Sequence, residues 1–424
     1  MTEDFLQYLW QQRLCHQAGL RTVAGEPLEI IHPGMRNSDA GPDFFNAKVK
    51  IGNTMWAGNI EVHVRADDWY QHGHHLDPAY NNVILHIVKE LGNLPQTSLG
   101  GTVPVWQMTF DPTFVDNYNN LQQQGKWIPC EDKFTRINSF IMTAWLESLL
   151  IERLEEKEAL LDRLWERYHQ DQDEVFYVVL ARSMGFGVNG DPFEYLARQT
   201  PLKILLKHAD NIFQVEALLL GQAGFLTHIR HPDSYSEKLA KEYAFLAAKY
   251  KLKPLDVHVW KFLRLRPSNF PTIRIAQLAM IIHQSRGVFD QVFYQYQVRQ
   301  VEKCLGVTAV DYWDNHYRLG VESERIVEKS IGRSSVHLIM VNSLIPFLFL
   351  LARKKVDEAG VEKALKMLEE LPAEQNSILT NWERLGIVAR DAAQAQALIF
   401  LKKAYCNPKK CLYCRVGHHV ISSS

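Results

Sequence analysis

Near the start of the chain, two acidic residues and a histidine have the types and spacing of a hydrolytic metal site. Asp43 follows a Gly-Pro pair at the start of one apolar alternating run, and Glu61 and His63 lie in the next run. Carboxylate oxygens are the ligands that Mg²⁺ and Mn²⁺ prefer. A neutral imidazole with a pKa near ~6.5 can accept a proton at physiological pH. Asp43 and Glu61 are therefore predicted to bind Mg²⁺ or Mn²⁺, and His63 to position or deprotonate an attacking water.

A histidine cluster follows at His72, His74 and His75. These residues could bind a transition metal, and His72 could be a second catalytic proton-transfer group beside the site. Histidines in a polar loop are more often solvated surface residues, so both interpretations stay open at this point. Glu3 or Asp4, in the first helical segment, could add a further acidic residue.

The C-terminal residues contain a second set of metal-binding types. Cys406, Cys411 and Cys414 fall within nine residues and include a Cys-x-x-Cys pair. This spacing suits a tetrahedral zinc site or an iron–sulfur site, so the three cysteines are predicted metal ligands. The fourth ligand stays open among His418, His419, Cys15 and Cys130. The alternative is a set of metal-free thiols near a frayed terminus.

The elements that must position these residues change character near residue 135. Before it, β-rich runs separated by turns cover residues 28–32, 44–51, 54–65, 82–89 and 102–110, with helical patterns at 3–17 and 67–80. After it, long amphipathic patterns cover residues 141–169, 173–184, 236–250, 277–285, 362–371 and 392–405. The sequence predicts an α+β protein with an N-terminal α/β domain at 1–135, a larger all-α domain at 136–400 and a Cys-rich tail at 401–424.

The hairpin formed by the second and third β-rich runs decides whether the acidic residues face each other. Apolar residues are odd-numbered in its first strand and even-numbered in the later part of its second strand, so the buried parity changes near Gly58. A β-bulge at Gly58 would explain the change, and Glu61 and His63 then share one polar face. Strict alternation would put Asp43 on the face of Phe45, away from Glu61. The predicted site therefore requires a deviation at the Pro-restricted start of the first strand.

The motif and the order of elements together resemble a known nuclease superfamily. A Pro-Asp pair at a strand start, followed by Glu-x-His on the partner strand, is similar to the PD-(D/E)xK signature, with His63 in place of the usual lysine. The superfamily core has the order αβββαβ, which the elements predicted for residues 3–89 match. The resemblance implies a restriction-endonuclease-like N-terminal domain in which Asp43 and Glu61 hold the metal.

Longer stretches resemble a bacterial family catalogued as domain of unknown function 2851. They cover residues 41–48, 58–64, 68–74, 77–88, 185–193 and 266–279. This resemblance spans nearly the full length of the chain and implies no activity, so the functional hypothesis depends on the motif.

The leading hypothesis is a metal-dependent nuclease that hydrolyses phosphodiester bonds in DNA or RNA. The first alternative is a catalytically inactive scaffold of the same fold that binds nucleic acid or protein, and the second is an unrelated metal-dependent hydrolase built on histidines 72–75.

The segment 251–286 has seven Lys or Arg residues and one acid. Its predicted nucleic-acid contacts are Lys261, Arg264, Arg266 and Arg274, with interleaved aromatic residues for stacking. The competing interpretation is a solvated basic face over core aromatics.

The composition of the chain excludes several classes of protein. With 46% apolar and 22% charged residues in 424, the chain is neither disordered nor fibrous. A formal charge of −1 excludes a polybasic arm or an acidic tail as the main functional device. The start of the sequence is acidic and unlike a signal peptide, and the apolar run at 336–352 contains Pro346 and polar residues. A cytoplasmic protein with a buried helix at that run and no membrane partner is predicted; protein partners stay unspecified.

Overall fold

The computed structural model describes residues 1–16, 18–123, 125–227, 229–285 and 297–423. The chain forms two compact units, the first of residues Met1–Trp145 with Leu401–Ser424 and the second of residues Leu146–Phe400. The first unit thus extends ten residues beyond the predicted boundary at 135, and it includes the tail that the sequence treats as a separate segment. Arg286, the last cation of the predicted basic segment, lies outside the described residues.

Unit 1 is built around a mixed β-sheet. Its strands are β1 (Leu28–His32), β2 (Met35–Arg36), β3 (Phe44–Ile51), β4 (Thr54–Arg65), β5 (Val83–Glu90) and β6 (Val105–Gln107). The sheet order is β1-β3-β4-β5-β6, and β2 pairs with β3. The pairs β1–β3 and β3–β4 are antiparallel, whereas β4–β5 and β5–β6 are parallel. Helices α1 (Glu3–Gln11), α2 (Asp68–Gln71) and α3 (Pro112–Gln122) belong to the same unit.

The apolar side chains of helix α1 pack on one face of this sheet. It begins where the Thr2 hydroxyl accepts a hydrogen bond from the Phe5 N–H, an N-cap that satisfies a backbone donor of the first turn. Phe5 and Leu9, one turn apart, are buried in the same core as Phe44 of β3 and Val62 of β4. Residues of opposite parity on β4 therefore face the other side of the sheet.

A β-bulge lies in β3, which corrects the bulge predicted at Gly58. Phe44 pairs with Ile60 and Ala47 pairs with Gly58, so two residues of β3 stand opposite one residue of β4. One of the two is Asn46, which has a left-handed φ of 56°. The change of buried parity belongs to β3, because its apolar residues alternate differently on the two sides of the bulge.

Gly58 has a different role, since it lets the start of β5 approach β4. A Cβ atom at Gly58 would lie 2.5 Å from Ile84 Cγ2 and 2.7 Å from the Asn82 carbonyl oxygen. The second of these is a backbone atom and cannot rotate away. A glycine in a strand interior commonly marks such a close approach of another backbone.

Unit 2 is mainly helical, as predicted, although it also contains a two-stranded hairpin. Helix α4 (Ser139–Arg167) begins in unit 1 and continues in unit 2. Its other longer helices are Gln172–Met184, Phe186–Gln199, Ile212–Gln222, Ser234–Tyr250, Pro271–Ser285, Val298–Leu305, Ile345–Lys354, Glu358–Glu370, Ser377–Arg384 and Ala392–Phe400, with shorter ones at Leu202–Leu206 and Arg333–Ile339. The hairpin consists of β7 (His316–Arg318) and β8 (Val321–Glu322). The prediction that this region contains only helices was therefore wrong for residues 316–322.

Among the residues that the structure describes, one helical stretch, Arg333–Lys354, is long and apolar enough to cross a membrane. In its most apolar window, 83% is buried inside the protein. A core helix passes the same test of length and composition, so the finding is weak evidence for a membrane span.

Glu216 is a fully buried acid in the core of unit 2. The Tyr235 hydroxyl donates to its Oε2, and the Trp313 indole N–H donates to its Oε1 at 2.9 Å. Burial raises the pKa of Glu216 from 4.5 to about 7, and the two hydrogen bonds oppose this rise. The folded protein therefore holds the proton of Glu216 more tightly than the unfolded chain does.

This raised pKa predicts a pH-dependent loss of stability. Because the folded-state pKa is the higher one, the stabilising contribution of protonated Glu216 is present below about pH 4.5 and is lost as pH rises to about 7. Relative to Glu216→Gln, wild type should lose roughly 3 kcal/mol of unfolding free energy across this window. Denaturant unfolding of both proteins at several pH values measures the difference. The exposed Glu362→Gln variant is the control, and a pH slope shared by all three proteins would contradict the prediction.

Candidate active site

The bulge in β3 places Asp43 beside Glu61. Because Phe44 faces the core opposite Ile60, Asp43 projects from the other side of the sheet, where Glu61 also lies. The Asp43 N–H donates to Glu61 Oε2 at 3.1 Å, and Asp43 Oδ2 accepts from the Val62 N–H at 2.9 Å. The predicted site required a departure from strict alternation at the start of β3, and the bulge between Phe44 and Ala47 provides it.

The loop before Asp43 is fixed by the side chain of one asparagine. Asn37 Nδ2 donates to the carbonyls of Asp39, Ala40 and Pro42 at 3.1, 3.3 and 3.0 Å. The Asn37 N–H also donates to the Asp43 carbonyl at 2.7 Å. These bonds hold the turn that carries the acidic residue in one conformation.

Two histidines converge on the carboxylate of Glu61. His63 Nε2 lies 3.4 Å and His74 Nε2 lies 3.2 Å from the same oxygen, Oε1. The ligand nitrogens of His63, His72 and His74 all lie within 4.8 Å of one another. Helix α2 and the turn after it bring His72 and His74 over β4, so the loop histidines and the strand residues form one cluster.

The contact between His74 and Glu61 is close but is not a hydrogen bond. His74 Nε2 is buried and makes no hydrogen bond to any described residue, although Glu61 Oε1 is 3.2 Å away. The ring of His74 stacks on Tyr80 with centroids 3.8 Å apart, which fixes its orientation. A nitrogen and a carboxylate oxygen that face each other without a shared proton are arranged as two ligands of one ion would be.

His86 was not predicted from the sequence. It is completely buried on β5, where the parallel register pairs it with Glu61, and its Nε2 lies 2.8 Å from His63 Nδ1. The only signal was a single histidine inside an otherwise apolar strand. A residue that contacts the other ring nitrogen of a ligating histidine in this way fixes the orientation of its ring.

Burial shifts the pKa values of Asp43, Glu61, His63 and His86 toward the neutral form of each group. It raises the pKa of Asp43 to about 7, with repulsion from Glu61 adding to the rise, and it raises the pKa of Glu61 to about 8. Burial lowers the pKa of His63 to about 2 and that of His86 to about 3. The buried Glu61 and the half-buried Asp43, next to buried neutral imidazoles and with no Lys or Arg among the described residues of the cluster, fit a site that takes its positive charge from a metal ion.

The donor set identifies the class of ion that fits. Glu61, His63, His72 and His74 combine one carboxylate with three imidazoles, and Asp43 lies beside them. Imidazole nitrogen suits Fe²⁺ and Zn²⁺; Mn²⁺ and Mg²⁺ both prefer oxygen ligands, but Mn²⁺ accepts imidazole more readily than Mg²⁺ does. The three histidines therefore favour a transition metal, whereas the carboxylate pair alone had indicated Mg²⁺ or Mn²⁺.

The other acidic and histidine candidates lie at the edge of the cluster or outside it. Glu3 is half-buried, and the charges of His72 and Asp68 act on its pKa, which burial raises. Asp4 instead pairs with Arg36. His75 packs near Tyr70 rather than with the three clustered histidines.

The predicted nucleic-acid contacts all belong to unit 2, and one of them is wrong. Lys261, Arg264 and Arg266 are exposed, so their prediction stands untested. Arg274 is only 3% exposed, and its guanidinium donates to side chains of Asn269, Gln277 and Ser335. It lies on a helix that is buried on nearly every face and is unavailable to a phosphate backbone.

The aromatic residues of the same segment are packed rather than presented for stacking. Trp260 is buried, and its indole N–H donates to the Ala223 carbonyl at 2.8 Å. Phe262 and Phe270 pack edge to face with centroids 5.1 Å apart. The interpretation of these aromatics as core residues is the correct one for Trp260.

A family model described as protein of unknown function (DUF2851) matches residues 3–377 of the chain. The matched range includes every residue of the histidine and carboxylate cluster, and it ends before the tail cysteines at 406–414. No curated protein and no solved structure matches the chain.

Proposed function

The chain belongs to the DUF2851 family, and because that membership names no activity, we propose from the geometry of the site that this protein is a metal-dependent hydrolase of phosphodiester bonds in DNA or RNA. The observation that carries the proposal is the convergence of His63 and His74 on one carboxylate oxygen of Glu61, at 3.4 and 3.2 Å. Asp43 lies beside them as a second acidic group.

The order and direction of the elements support phosphodiester chemistry. Helix α1, the antiparallel strands β1, β3 and β4, helix α2 and then β5 parallel to β4 follow the αβββαβ order of the PD-(D/E)xK nucleases. Asp43 lies at the start of the second strand of that series, and Glu61 with His63 lies in the third. Strand β2 and strand β6 are additions to the series.

The side chains divide into groups that would hold the ion and groups that would orient them. Glu61, His63 and His74 would be ligands, with Asp43 and His72 adjacent. When bound, a divalent ion in such a site lowers the pKa of a water molecule and stabilises negative charge on a phosphate. His86 would keep His63 Nε2 directed at the ion, because it contacts the other ring nitrogen.

The structure changes which histidine we assign to proton transfer. Both ring nitrogens of His63 are engaged, Nδ1 with His86 and Nε2 with Glu61, so neither faces solvent. His72 is exposed, and its ring centroid lies 5.0 Å from that of His63. We therefore assign His63 to ion binding and His72 to exchange of protons with solvent and substrate.

The alternatives are narrowed by the same geometry. A separate hydrolase site at the loop histidines is not needed, because His72 and His74 join Glu61 in one cluster. A catalytically inactive scaffold would bind the metal and nucleic acid without turnover.

Incubation of purified protein with DNA and with RNA, each with Mn²⁺ or Mg²⁺, tests the proposal, and absence of hydrolysis in all four mixtures would overturn it in favour of the scaffold.

Metal binding is expected to depend on His74. His74→Ala removes a ligand nitrogen that faces Glu61, so the affinity for Mn²⁺ should fall at least about 100-fold, as ligand-shell losses do. Isothermal titration calorimetry on the full chain measures this change. His75→Ala is the matched control, since His75 is the next residue but lies outside the three-histidine group, and it should bind like wild type. Equal affinity in all three proteins would remove His74 from the ligand set.

A further inference from the structure

The C-terminal tail brings three cysteines to a fourth that is far away in the sequence. Cys130, Cys406, Cys411 and Cys414, here called the cavity cysteines, line one small cavity in unit 1 together with Pro129, Tyr405, Lys410 and Gly417. The volume of the cavity is about 20 Å³. Because a cavity of ~10–15 Å³ holds a single water molecule, this one has room for one ion.

We propose that the cavity cysteines bind a single zinc ion that fastens the C-terminal tail to the rest of unit 1. Four thiolates form the commonest kind of closed, structural zinc site, and a Cys-x-x-Cys pair such as Cys411 and Cys414 is its usual knuckle. The inference is independent of the hydrolase proposal, because it uses none of the same residues.

The lining of the cavity distinguishes among the four candidates for the fourth ligand. Cys130 lines the cavity, whereas Cys15, His418 and His419 do not. The backbone of Cys15 forms an isolated β-bridge with that of Phe110, and its side chain lies in the core of unit 1. His418 directs Nδ1 at the Tyr8 hydroxyl, 2.7 Å away.

The backbone around the knuckle is held close to the final helix, Arg415–Ser422. A Cβ atom at Gly417 would lie 2.1 Å from the Cys411 carbonyl oxygen, so only glycine permits this approach. The Cys414 N–H donates to the Cys411 carbonyl at 3.3 Å, and the His418 N–H donates to the Cys414 carbonyl at 2.8 Å. These bonds fix the backbone of both knuckle cysteines beside the cavity.

Lysine side chains hold the tail against the segment that precedes Cys130. Lys409 Nζ donates to the Gln122 carbonyl at 2.5 Å, and Lys402 Nζ donates to the Trp127 carbonyl at 2.6 Å. These two bonds join the chain on either side of Cys406 to the segment before Cys130.

The four thiols share the lining of the cavity but do not yet have the spacing of a bound site. Among the described residues, the group of three or more ligand atoms within 4.8 Å of one another consists of His63, His72 and His74, and no three of the cavity sulfurs lie that close together. Binding of one zinc ion would therefore require the sulfur atoms to approach one another.

Cobalt substitution in the full-length protein tests the site, because thiolate-to-cobalt charge-transfer absorption reports only sulfur ligands and ignores the histidine cluster. We expect the band in wild type to saturate at about one Co²⁺ per chain and to disappear when Zn²⁺ displaces the cobalt. Cys130→Ser should weaken zinc binding at least about 100-fold. Cys304→Ser, in the unit 2 helix Val298–Leu305, is the matched control and should behave as wild type. No band in wild type, or unchanged zinc affinity in Cys130→Ser, would overturn the proposal.

A second measurement avoids any variant that fails to fold. Wild-type protein is alkylated with and without bound Zn²⁺, and the modified cysteines are identified by mass spectrometry. Zinc should slow the alkylation of Cys130 together with that of the three tail cysteines, and should leave Cys304 unaffected. If zinc protects the tail cysteines and not Cys130, the four-cysteine site is wrong.

Discussion

Replacing Glu61 with alanine is expected to reduce the metal-dependent hydrolysis of DNA or RNA at least about 100-fold, because loss of even an outer-shell group at a metal site costs 10–100-fold. Glu61 Oε1 is the atom on which His63 and His74 converge, and Glu61 Oε2 accepts the Asp43 N–H. The substitution therefore removes the centre of the cluster. Initial rates with a saturating metal concentration, for wild type and variant purified in parallel, measure the effect.

The control for this substitution is an exposed acid on the same sheet. Glu29→Ala on β1 removes a carboxylate of equal size and charge outside the cluster, and it should keep the wild-type rate. Thermal unfolding of the metal-free proteins checks that Glu61→Ala still folds. Equal rates in wild type and Glu61→Ala would assign the hydrolysis to a contaminant and remove the catalytic proposal.

The sequence identified the acidic pair but could not place the bulge that brings its members together. Alternation shows that the buried parity changes between Asp43 and Glu61, and an extra residue in either strand of the hairpin explains that change equally well. The structure puts it in β3, where Asn46 takes a left-handed φ. An asparagine tolerates that conformation better than most residues, which was the local signal available.

The residues that sequence analysis missed or misassigned depend on contacts between distant parts of the chain. His86 becomes a partner of His63 only through the parallel register of β4 and β5, and periodicity within one strand carries no information about register. Cys130 was one of four open choices because the other three cysteines of the cavity are 276 or more positions later in the chain. Arg274 was misassigned because a count of cations does not distinguish a solvated face from a buried guanidinium.

Chelation should abolish hydrolysis, and Mn²⁺ should restore it at a concentration at least about tenfold lower than Mg²⁺ does. The reason is the donor set, since His63, His72 and His74 offer imidazole nitrogens that Mg²⁺ binds poorly. Chelator-treated protein is titrated with each ion, and the rate is measured at every concentration. Because the chelator also removes zinc from a cysteine site, the titrations are repeated after zinc has been restored at one equivalent.

The comparison of the two ions separates two kinds of site. If the three histidines bind the metal, His74→Ala should lose the preference for Mn²⁺ along with most of the activity. If Mg²⁺ restores hydrolysis as well as Mn²⁺ does, Asp43 and Glu61 hold the ion by themselves, as the carboxylate motif alone indicates, and the histidines act only in orientation and proton transfer. Hydrolysis that survives complete chelation would contradict both arrangements, because each of them requires a bound ion to activate the attacking water.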